Sequence, residues 1–426
     1  VGDAVIRPSL LLRLAERHAE RARGDLLRRQ RTVQAAAPAR VVIDGRELVD
    51  FASNDYLGLA GHPALADALA GAARRWGVGA TAAHGLGGHR APHAALEAEL
   101  AEWTQRPRAL LFSSGWMANL GVLATLLEAG DVCVQDKLNH ACLLDGATLA
   151  GATLRRYPHR DVDAAMRQLA LDPHAAALLA TDGVFSMDGT IAPLRELAAA
   201  CTSAGATLMV DDAHGLGVLG PEGAGSVRAA GLGVDAVPVY MATLGKALGT
   251  LGAFVAGSES LIDGLRQFAR THVFTTALPP ALAEATRAAL RIARFEGWRR
   301  DKLDVLVRHF RRGAAARGIA LLDSATPIQP LVVGSSARAL AVAAALEAAG
   351  FHVPAVRPPT VPDGSARLRI TLTAVHGEPE VEALLDALAH ALGQCPDASD
   401  PRPAEAAREP RRNPRAGALR VRRRPG

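Results

Sequence analysis

Several residues of this chain have the type and spacing to do chemistry, and each stands just past an apolar run. Leu208-Met209-Val210-Asp211-Asp212-Ala213-His214-Gly215 is strand-like, ends in an acid and carries a histidine three residues on. In an open parallel sheet, ligands sit outside the carboxyl ends of the strands. There Asp211 either caps the next turn or holds a cationic group such as a protonated pyridine nitrogen. In Met241-Ala242-Thr243-Leu244-Gly245-Lys246-Ala247-Leu248-Gly249, a lysine sits in an apolar, glycine-flanked segment. Burial disfavours an ammonium and lowers its pKa, which suits a Schiff-base amine. The alternative is a lysine snorkelling from a sheet edge. A Walker A loop is excluded, because Tyr240 stands where its upstream glycine belongs and Ala247 replaces Ser or Thr.

Leu111-Phe112-Ser113-Ser114-Gly115-Trp116 runs a strand into a helix. It is either an ordinary turn or a phosphate cradle, built from free N–H groups and the positive end of a helix dipole, with Trp116 able to cover a planar ligand. Gly85-Leu86-Gly87-Gly88 follows no strand and is not a dinucleotide fingerprint. His140, in Asn139-His140-Ala141, caps a helix or meets a ligand. Asp182 and Ser186 lie past another strand end. Arg357 precedes Pro358-Pro359-Thr360, whose fixed backbone would hold the guanidinium as a carboxylate clamp; otherwise it is a solvated loop arginine. The shared placement of these residues at strand carboxyl ends makes them a set: phosphate cradle, ring-stacking histidine, acid for a pyridine nitrogen, and Schiff-base lysine.

The elements that must position this set alternate. Apolar runs at 109–112, 132–134, 153–157, 176–180, 207–210, 237–241 and 253–256 are separated by helical segments that include 118–129, 161–171 and 193–204. Seven strands with helical crossovers predict an α/β fold, a mainly parallel sheet covered on both faces. Before it, 9–31 reads as a helix with a partial apolar face from Leu11, Leu12, Leu14 and Ala15. A hairpin follows, with Asp44-Gly45 as its turn. After the sheet comes a small α+β unit: a long charged helix at 281–312, strands near 328–333, 352–356 and 367–373, and helices at 338–349 and 379–392. Arg367, Arg369 and Thr371 alternate with Leu368, Ile370 and Leu372, as in a half-exposed strand. The expected division is therefore an N-terminal helix and hairpin (1–60), a large domain (61–285), a small C-terminal domain (286–395) and a disordered Pro/Arg-rich tail (396–426).

Of 426 residues, 49% are hydrophobic and 21% charged, which excludes wholesale disorder. The net charge is +5, but residues 401–426 hold nine Arg and two Glu, a net of +7, leaving −2 for residues 1–400. The basic balance thus belongs to the tail, and the body has no nucleic-acid footprint. Cysteines at 133, 142, 201 and 395 form no CxxC pair or zinc spacing, so no metal is expected and a reducing setting fits. The uncharged stretch 109–127 is interrupted by Ser113, Ser114, Gly115, Asn119 and Gly121, and so reads as strand, turn and helix, not a membrane span. With no apolar leader at residues 1–20, a cytoplasmic location is expected.

Asp211-x-x-His214 followed by Thr243-Leu-Gly-Lys246 resembles the pyridoxal-phosphate α-oxoamine synthases, of aminotransferase fold type I. The resemblance covers about residues 9–394. It extends through Ser53-Asn54-Asp55-Tyr56-Leu57-Gly58-Leu59, His93-x-x-Leu96-Glu97, Ser114-Gly115, Asn139-His140-Ala141, Gly183-Val-Phe-Ser186-Met-Asp-Gly189 and Arg357-Pro-Pro-Thr360-Val-Pro-x-Gly364. Ile328-Gln-Pro-Leu-Val and Thr371-Leu-Thr-Ala-x-His376 are most similar to members that join L-alanine to a pimeloyl thioester carried by coenzyme A or acyl carrier protein. Glycine-using siblings are the alternative.

The resemblance implies pyridoxal 5'-phosphate bound to Lys246, which also moves the alanine α-proton. It implies Asp211 at the pyridine nitrogen, His140 stacked on the ring, and Ser186 and His214 at the ring oxygen. Gly115, Trp116 and Thr243 would lie near the phosphate. Thr275 or Thr276 would reach the phosphate of a partner subunit in a homodimer with shared sites. Arg357 would take the amino-acid carboxylate, Arg28 and Thr360 the acyl substrate, and Asn54 would border the site. Asp182 departs from the family's usual Glu, and Ala80-Thr81-Ala82-Ala83-His84 lacks the usual small hydroxyl and glycine residues.

Overall fold

The structure is a computed structural model that describes residues 9–24 and 26–395; the expected disordered tail, 396–426, lies outside the described residues. Helix α1 (Leu10–Arg23) starts at Ser9, whose hydroxyl accepts from Leu12 N at 3.2 Å. It ends at Gly24, which turns its N–H back to the carbonyls of Glu20 and Ala22. The helix expected over 9–31 therefore stops at Arg23, because glycine is a poor helix former. Arg28 lies beyond it in irregular chain, and Leu11, Leu12 and Leu14 are exposed. Strands β1 (Val33–Ala37), β2 (Arg40–Ile43) and β3 (Arg46–Asp50) pair antiparallel. Asp44 and Gly45 join β2 to β3 with φ of 52° and 75°, the positive values a two-residue hairpin turn demands.

The alternating region runs α2 (Pro63–Trp76), α3 (Ala91–Trp103), β4 (Arg108–Phe112), α4 (Gly115–Leu126), β5 (Val132–Asp136), α5 (Ala141–Leu149), β6 (Thr153–Tyr157), α6 (Val162–Leu169), β7 (Ala177–Asp182), α7 (Leu194–Ala204), β8 (Thr207–Asp211), α8 (Ser226–Ala229), β9 (Val239–Thr243), β10 (Ala253–Gly257), α9 (Glu259–Phe268) and α10 (Arg270–Val273). All seven expected runs become strands of one sheet, in the order β4-β10-β9-β8-β7-β5-β6. Only β10 runs antiparallel to its neighbours. Successive side chains of a strand point to opposite faces. Leu111, Val132, Val134, Leu179 and Val210 accordingly enter one core, and Leu110, Cys133, Leu178 and Met209 the other. Both faces are dry, which is why these strands read as unbroken apolar runs.

The remainder is α11 (Pro280–Phe295), α12 (Trp298–Ala316), β11 (Ile328–Gly334), α13 (Ser336–Ala348), β12 (Phe351–His352), β13 (Ala355–Val356), β14 (Ala366–Thr371) and α14 (Glu378–Gln394). The single helix expected at 281–312 is two, because the chain leaves helical geometry at Glu296 (φ −92°, ψ 66°), next to Gly297. The strand expected at 352–356 is also two. Pro354 cannot donate to a ladder, and the chain changes partners there: β12 runs parallel to β3, and β13 antiparallel to β14. The N-terminal hairpin thus shares a sheet with the C-terminal part. β14 is buried on both faces, correcting the half-exposed reading: Arg367 and Arg369 are 5% exposed and Thr371 0%. Their polar atoms find partners inside, Arg367 on Asp188 and Arg369 on Ser186 O and Asn54.

Candidate active site

The carboxyl ends of β7, β8 and β9 and the starts of α4 and α5 converge on a cleft of about 190 Å³. Gly115, Trp116, His140, Ser186, Asp211, His214, Thr243 and Lys246 all line it, so the set read from the sequence is brought together. At the start of α4, the Ser114 hydroxyl accepts from Met117 N at 3.2 Å. The N–H groups of Gly115 and Trp116 belong to a first helical turn and have no intrahelical acceptor. A Cβ on Gly115 would meet Thr243 Cγ2 at 2.7 Å, so only glycine lets α4 and the end of β9 meet so closely.

His140 is both cap and site residue. Its Nδ1 accepts from Cys142 N at 3.3 Å at the start of α5, and its ring meets Trp116 edge-on, with centroids 6.1 Å apart and planes at 81°. Asp211 ends β8; its Oδ1 accepts from Ala213 N at 3.0 Å and its Oδ2 from Asn119 Nδ2 at 2.7 Å. In-register pairing of β7 with β8 sets Asp182 beside Asp211. Burial, and then the neighbouring Asp211 charge, push the Asp182 carboxyl well above the ordinary range. Its Oδ1 accepts from His140 N at 3.3 Å, so the shorter acid still ties the start of α5 to β7. Lys246 follows β9 in a turn, half-buried, its pKa pressed down by burial against the opposing pull of Asp211 and Asp182.

Buried contacts behind the cleft hold the loop carrying His214. Asp212, fully buried, accepts from Ser226 N at 2.7 Å, Ser226 Oγ at 2.6 Å and Tyr240 OH at 3.0 Å, and burial raises its pKa to about 7. Tyr56 OH lies 2.6 Å from His214 Nδ1, and burial, then the Lys246 and Arg369 charges, keep that imidazole neutral. Arg369 donates to Ser186 O at 2.6 Å and to Asn54 Oδ1 at 3.0 Å, drawing the 183–189 loop and the 53–58 loop together.

Six expected residues lie outside the cleft lining. Asn54 reaches it through Tyr56 and Arg369. Arg28 Nη2 donates to Thr360 Oγ1 at 3.2 Å, so the two expected acyl contacts do meet each other. Arg357 Nη2 donates to Leu27 O at 3.1 Å. Thr276 forms an isolated bridge with Ala83, and Thr275 is half-buried beside it. Asn119, Cys142, Tyr56 and Arg369 were not singled out from sequence. Asn119 was visible only as a polar break in an apolar run, and Arg369 was hidden by an alternation that mimics a solvent-facing edge.

A larger cavity, about 930 Å³, lies between the 83–89 loop, α3 and residues 266–274. It holds histidines but neither the lysine nor the strand-end acids. The smaller cleft has the convergent groups of a reaction site. Among the described residues, no cluster of His, Cys, Asp and Glu could hold a metal, and no helix is long and apolar enough to cross a membrane.

Residues 46–388 match the family described as aminotransferase class I and II. The chain is 57% identical to the 8-amino-7-oxononanoate synthase of Methylococcus capsulatus, over 87% of this chain and 96% of that protein. In three dimensions it is similar to a serine palmitoyltransferase from S. paucimobilis solved with bound PLP-myriocin (TM-score 0.87, 28% identity, 91% of this chain and 99% of that one). It is also similar to the crystal structure of 8-amino-7-oxononanoate synthase from Francisella tularensis (TM-score 0.72, 29% identity, 82% and 98%). Fold and site define a class I and II aminotransferase-type enzyme. Within that class, the chain belongs to the 8-amino-7-oxononanoate synthase family.

Proposed function

We propose that the protein joins L-alanine to a pimeloyl thioester of coenzyme A or acyl carrier protein, forming 8-amino-7-oxononanoate, CO2 and the free thiol carrier in biotin biosynthesis. The observation that carries this reading is the convergence of Lys246, Asp211, His140 and the α4 N-terminus on one cleft in a chain 57% identical to a synthase of that name. The residues suit pyridoxal 5'-phosphate. The glycine that lets Thr243 meet α4 leaves backbone donors for a phosphate, and the carboxylate, amine and imidazole are the donor set of a protonated ring that carries a carbonyl. When bound, the cofactor supplies that carbonyl for linkage to an amine and a cationic ring that draws electrons from the bond being broken.

The chain's own groups do the rest. Lys246, its ammonium disfavoured by burial, presents a free amine nearer neutral pH, first to hold the cofactor and then to take the alanine α-proton. Asp211, held by Asn119 and Ala213 N, would face the ring nitrogen and keep its proton in place. His140 would lie over the ring, Ser186 and His214 would stand at the ring oxygen, and Gly115, Trp116 and Thr243 would lie near the phosphate. Arg357 would take the alanine carboxylate, Arg28 and Thr360 the acyl substrate, and Asn54 would border the site; Thr275 or Thr276 would serve a partner's site in a homodimer. The division at residues 60, 285 and 395 belongs to this proposal, as does a cytoplasmic location, which suits four unpaired cysteines.

The test is a panel of L-alanine and glycine against acyl thioesters of several chain lengths. L-Alanine with pimeloyl thioester should give the highest kcat/KM; a preference for glycine with a short acyl donor would move the protein to a sibling activity. In parallel, borohydride should trap pyridoxal phosphate on the wild type but not on Lys246→Ala.

A further inference from the structure

Behind the ring-binding residues stand two buried groups without an assigned role, Asn119 in α4 and Cys142 in α5. Asn119 Nδ2 has two protons and two acceptors: Asp211 Oδ2 at 2.7 Å and Cys142 Sγ at 3.0 Å. The opposite amide orientation would set a carbonyl oxygen 2.7 Å from a carboxylate oxygen with no proton between them, so charge fixes the amide this way round. Asn119 Oδ1, on the other side of the amide, is buried and has no hydrogen-bond partner among the described residues. Cys142 Sγ in turn lies 2.8 Å from His140 Nδ1, the same nitrogen that accepts from Cys142 N. A ring nitrogen that accepts from a backbone N–H carries no proton, so the thiol is the donor and the ring proton sits on Nε2. Burial and the Asp211 charge both push the Cys142 pKa up, so the thiol keeps the proton it donates.

Helix packing makes this chain of contacts possible. A Cβ on Gly146 would meet Leu123 Cδ1 at 2.6 Å and Asn119 O at 3.3 Å, so glycine there lets α5 lie against α4 with Cys142 beside Asn119. We infer that Asn119 and Cys142 are positioning residues forming one polarised chain, Asp211–Asn119–Cys142–His140, which locks His140 in its Nε2–H form and ties its ring to the acid at the pyridine nitrogen. The inference rests on the function proposed above. The charges around His140 are Asp211 and Asp145, which favour its protonation, Lys246, which opposes it, and Asp182, which accepts its backbone N–H. Against that background the thiol opposes an imidazolium, because a proton on Nδ1 would displace its own.

The test is nitrogen NMR of the full chain labelled with ¹⁵N-histidine, with His140 assigned by its loss in His140→Gln. Wild-type Nδ1 should be unprotonated at neutral pH. Cys142→Ala should mix the tautomers and raise the His140 midpoint by about one pH unit. Cys142→Ser keeps a donor and should restore the wild-type shifts. Asn119→Ser breaks the chain independently and should shift His140 in the same direction as Cys142→Ala, which keeps the test open if the alanine variant fails to fold. Wild-type shifts in both Cys142→Ala and Asn119→Ser would overturn the inference. So would a Cys142→Ser variant that behaves like Cys142→Ala, since space and not donation would then matter. Uptake of pyridoxal phosphate, read by visible absorbance, is followed separately: a wild type that takes up none overturns the functional reading, while the tautomer result stands on its own.

Discussion

Asp211 and Lys246 line one cleft, Asp211 at the end of β8 and Lys246 just past β9. Asp211 accepts hydrogen bonds from Ala213 N and Asn119, which fix the position of its carboxyl group; burial presses the Lys246 pKa down, which favours a neutral amine. Asp211→Asn should therefore keep the fold and lower kcat by roughly a hundred- to a thousand-fold, the usual effect of removing one preorganised electrostatic partner. Steady-state rates with cofactor occupancy checked by absorbance will show it, and near-wild-type turnover would refute the role. Arg369 carries a second prediction. Its planar fork serves Ser186 O, Asn54 Oδ1 and Thr371 Oγ1 at once, which an ammonium cannot reproduce. Arg369→Lys should raise KM for the amino acid at least several-fold and lower stability by about 1–3 kcal/mol. Urea denaturation beside kinetics separates the two effects, and an unchanged KM would confine Arg369 to structural support.

At the scale of elements, the site depends on two close approaches permitted by glycine. Gly115 lets the start of α4 meet Thr243 at the end of β9, and Gly146 lets α5 meet α4. In Gly115→Ala the added methyl would overlap Thr243 Cγ2, a short side chain with little room to swing. Cofactor affinity should fall by about tenfold, equivalent to about 1.4 kcal/mol, as the backbone donors shift away from the phosphate. Equilibrium dialysis against pyridoxal phosphate measures it directly. Gly146→Ala should cost about 1–3 kcal/mol by overpacking against Leu123, visible as a lower Tm. Gly115 stood out in the sequence as part of a strand-to-helix cradle, but Gly146 looked ordinary, because a glycine inside a helical pattern does not announce which neighbour it accommodates.

For the molecule as a whole, the join between the N-terminal hairpin and the C-terminal part should be pH-sensitive. His376, fully buried, stacks on Phe51 with centroids 4.1 Å apart, accepts from Thr373 N at 3.1 Å and donates to Asp50 O at 3.0 Å. Burial lowers its pKa to about 4. The unfolded chain therefore takes up a proton at about pH 6.5 that the folded protein refuses until about pH 4. The stability this histidine supports is intact above that window and falls as the pH drops through it, by up to about 3 kcal/mol. Chemical denaturation at a series of pH values should show the slope, and His376→Gln should flatten it by about one proton. A slope unchanged by that substitution would place the acid sensitivity elsewhere.

The sequence by itself determined the seven strands and the residues at their carboxyl ends. Burial on both faces writes a strand as an apolar run, and a polar group that ends such a run is conspicuous. Lys246, Asp211, His140 and Ser186 were legible for that reason, and the fold class followed from the alternation. Tertiary structure alone decided what those residues lean on. Arg367 and Arg369 alternate with leucine and isoleucine as a solvent-facing edge would, yet they are buried, because Asp188, Ser186 O and Asn54 arrive from distant segments to satisfy them. Asn119 and Cys142 meet only because two helices pack across Gly146, and Arg28 meets Thr360 across more than three hundred residues. Periodicity records whether a side chain is surrounded by protein or by water along its own segment. It does not record which remote group stands opposite, and for a buried polar residue that partner decides both whether burial is tolerated and what the residue does.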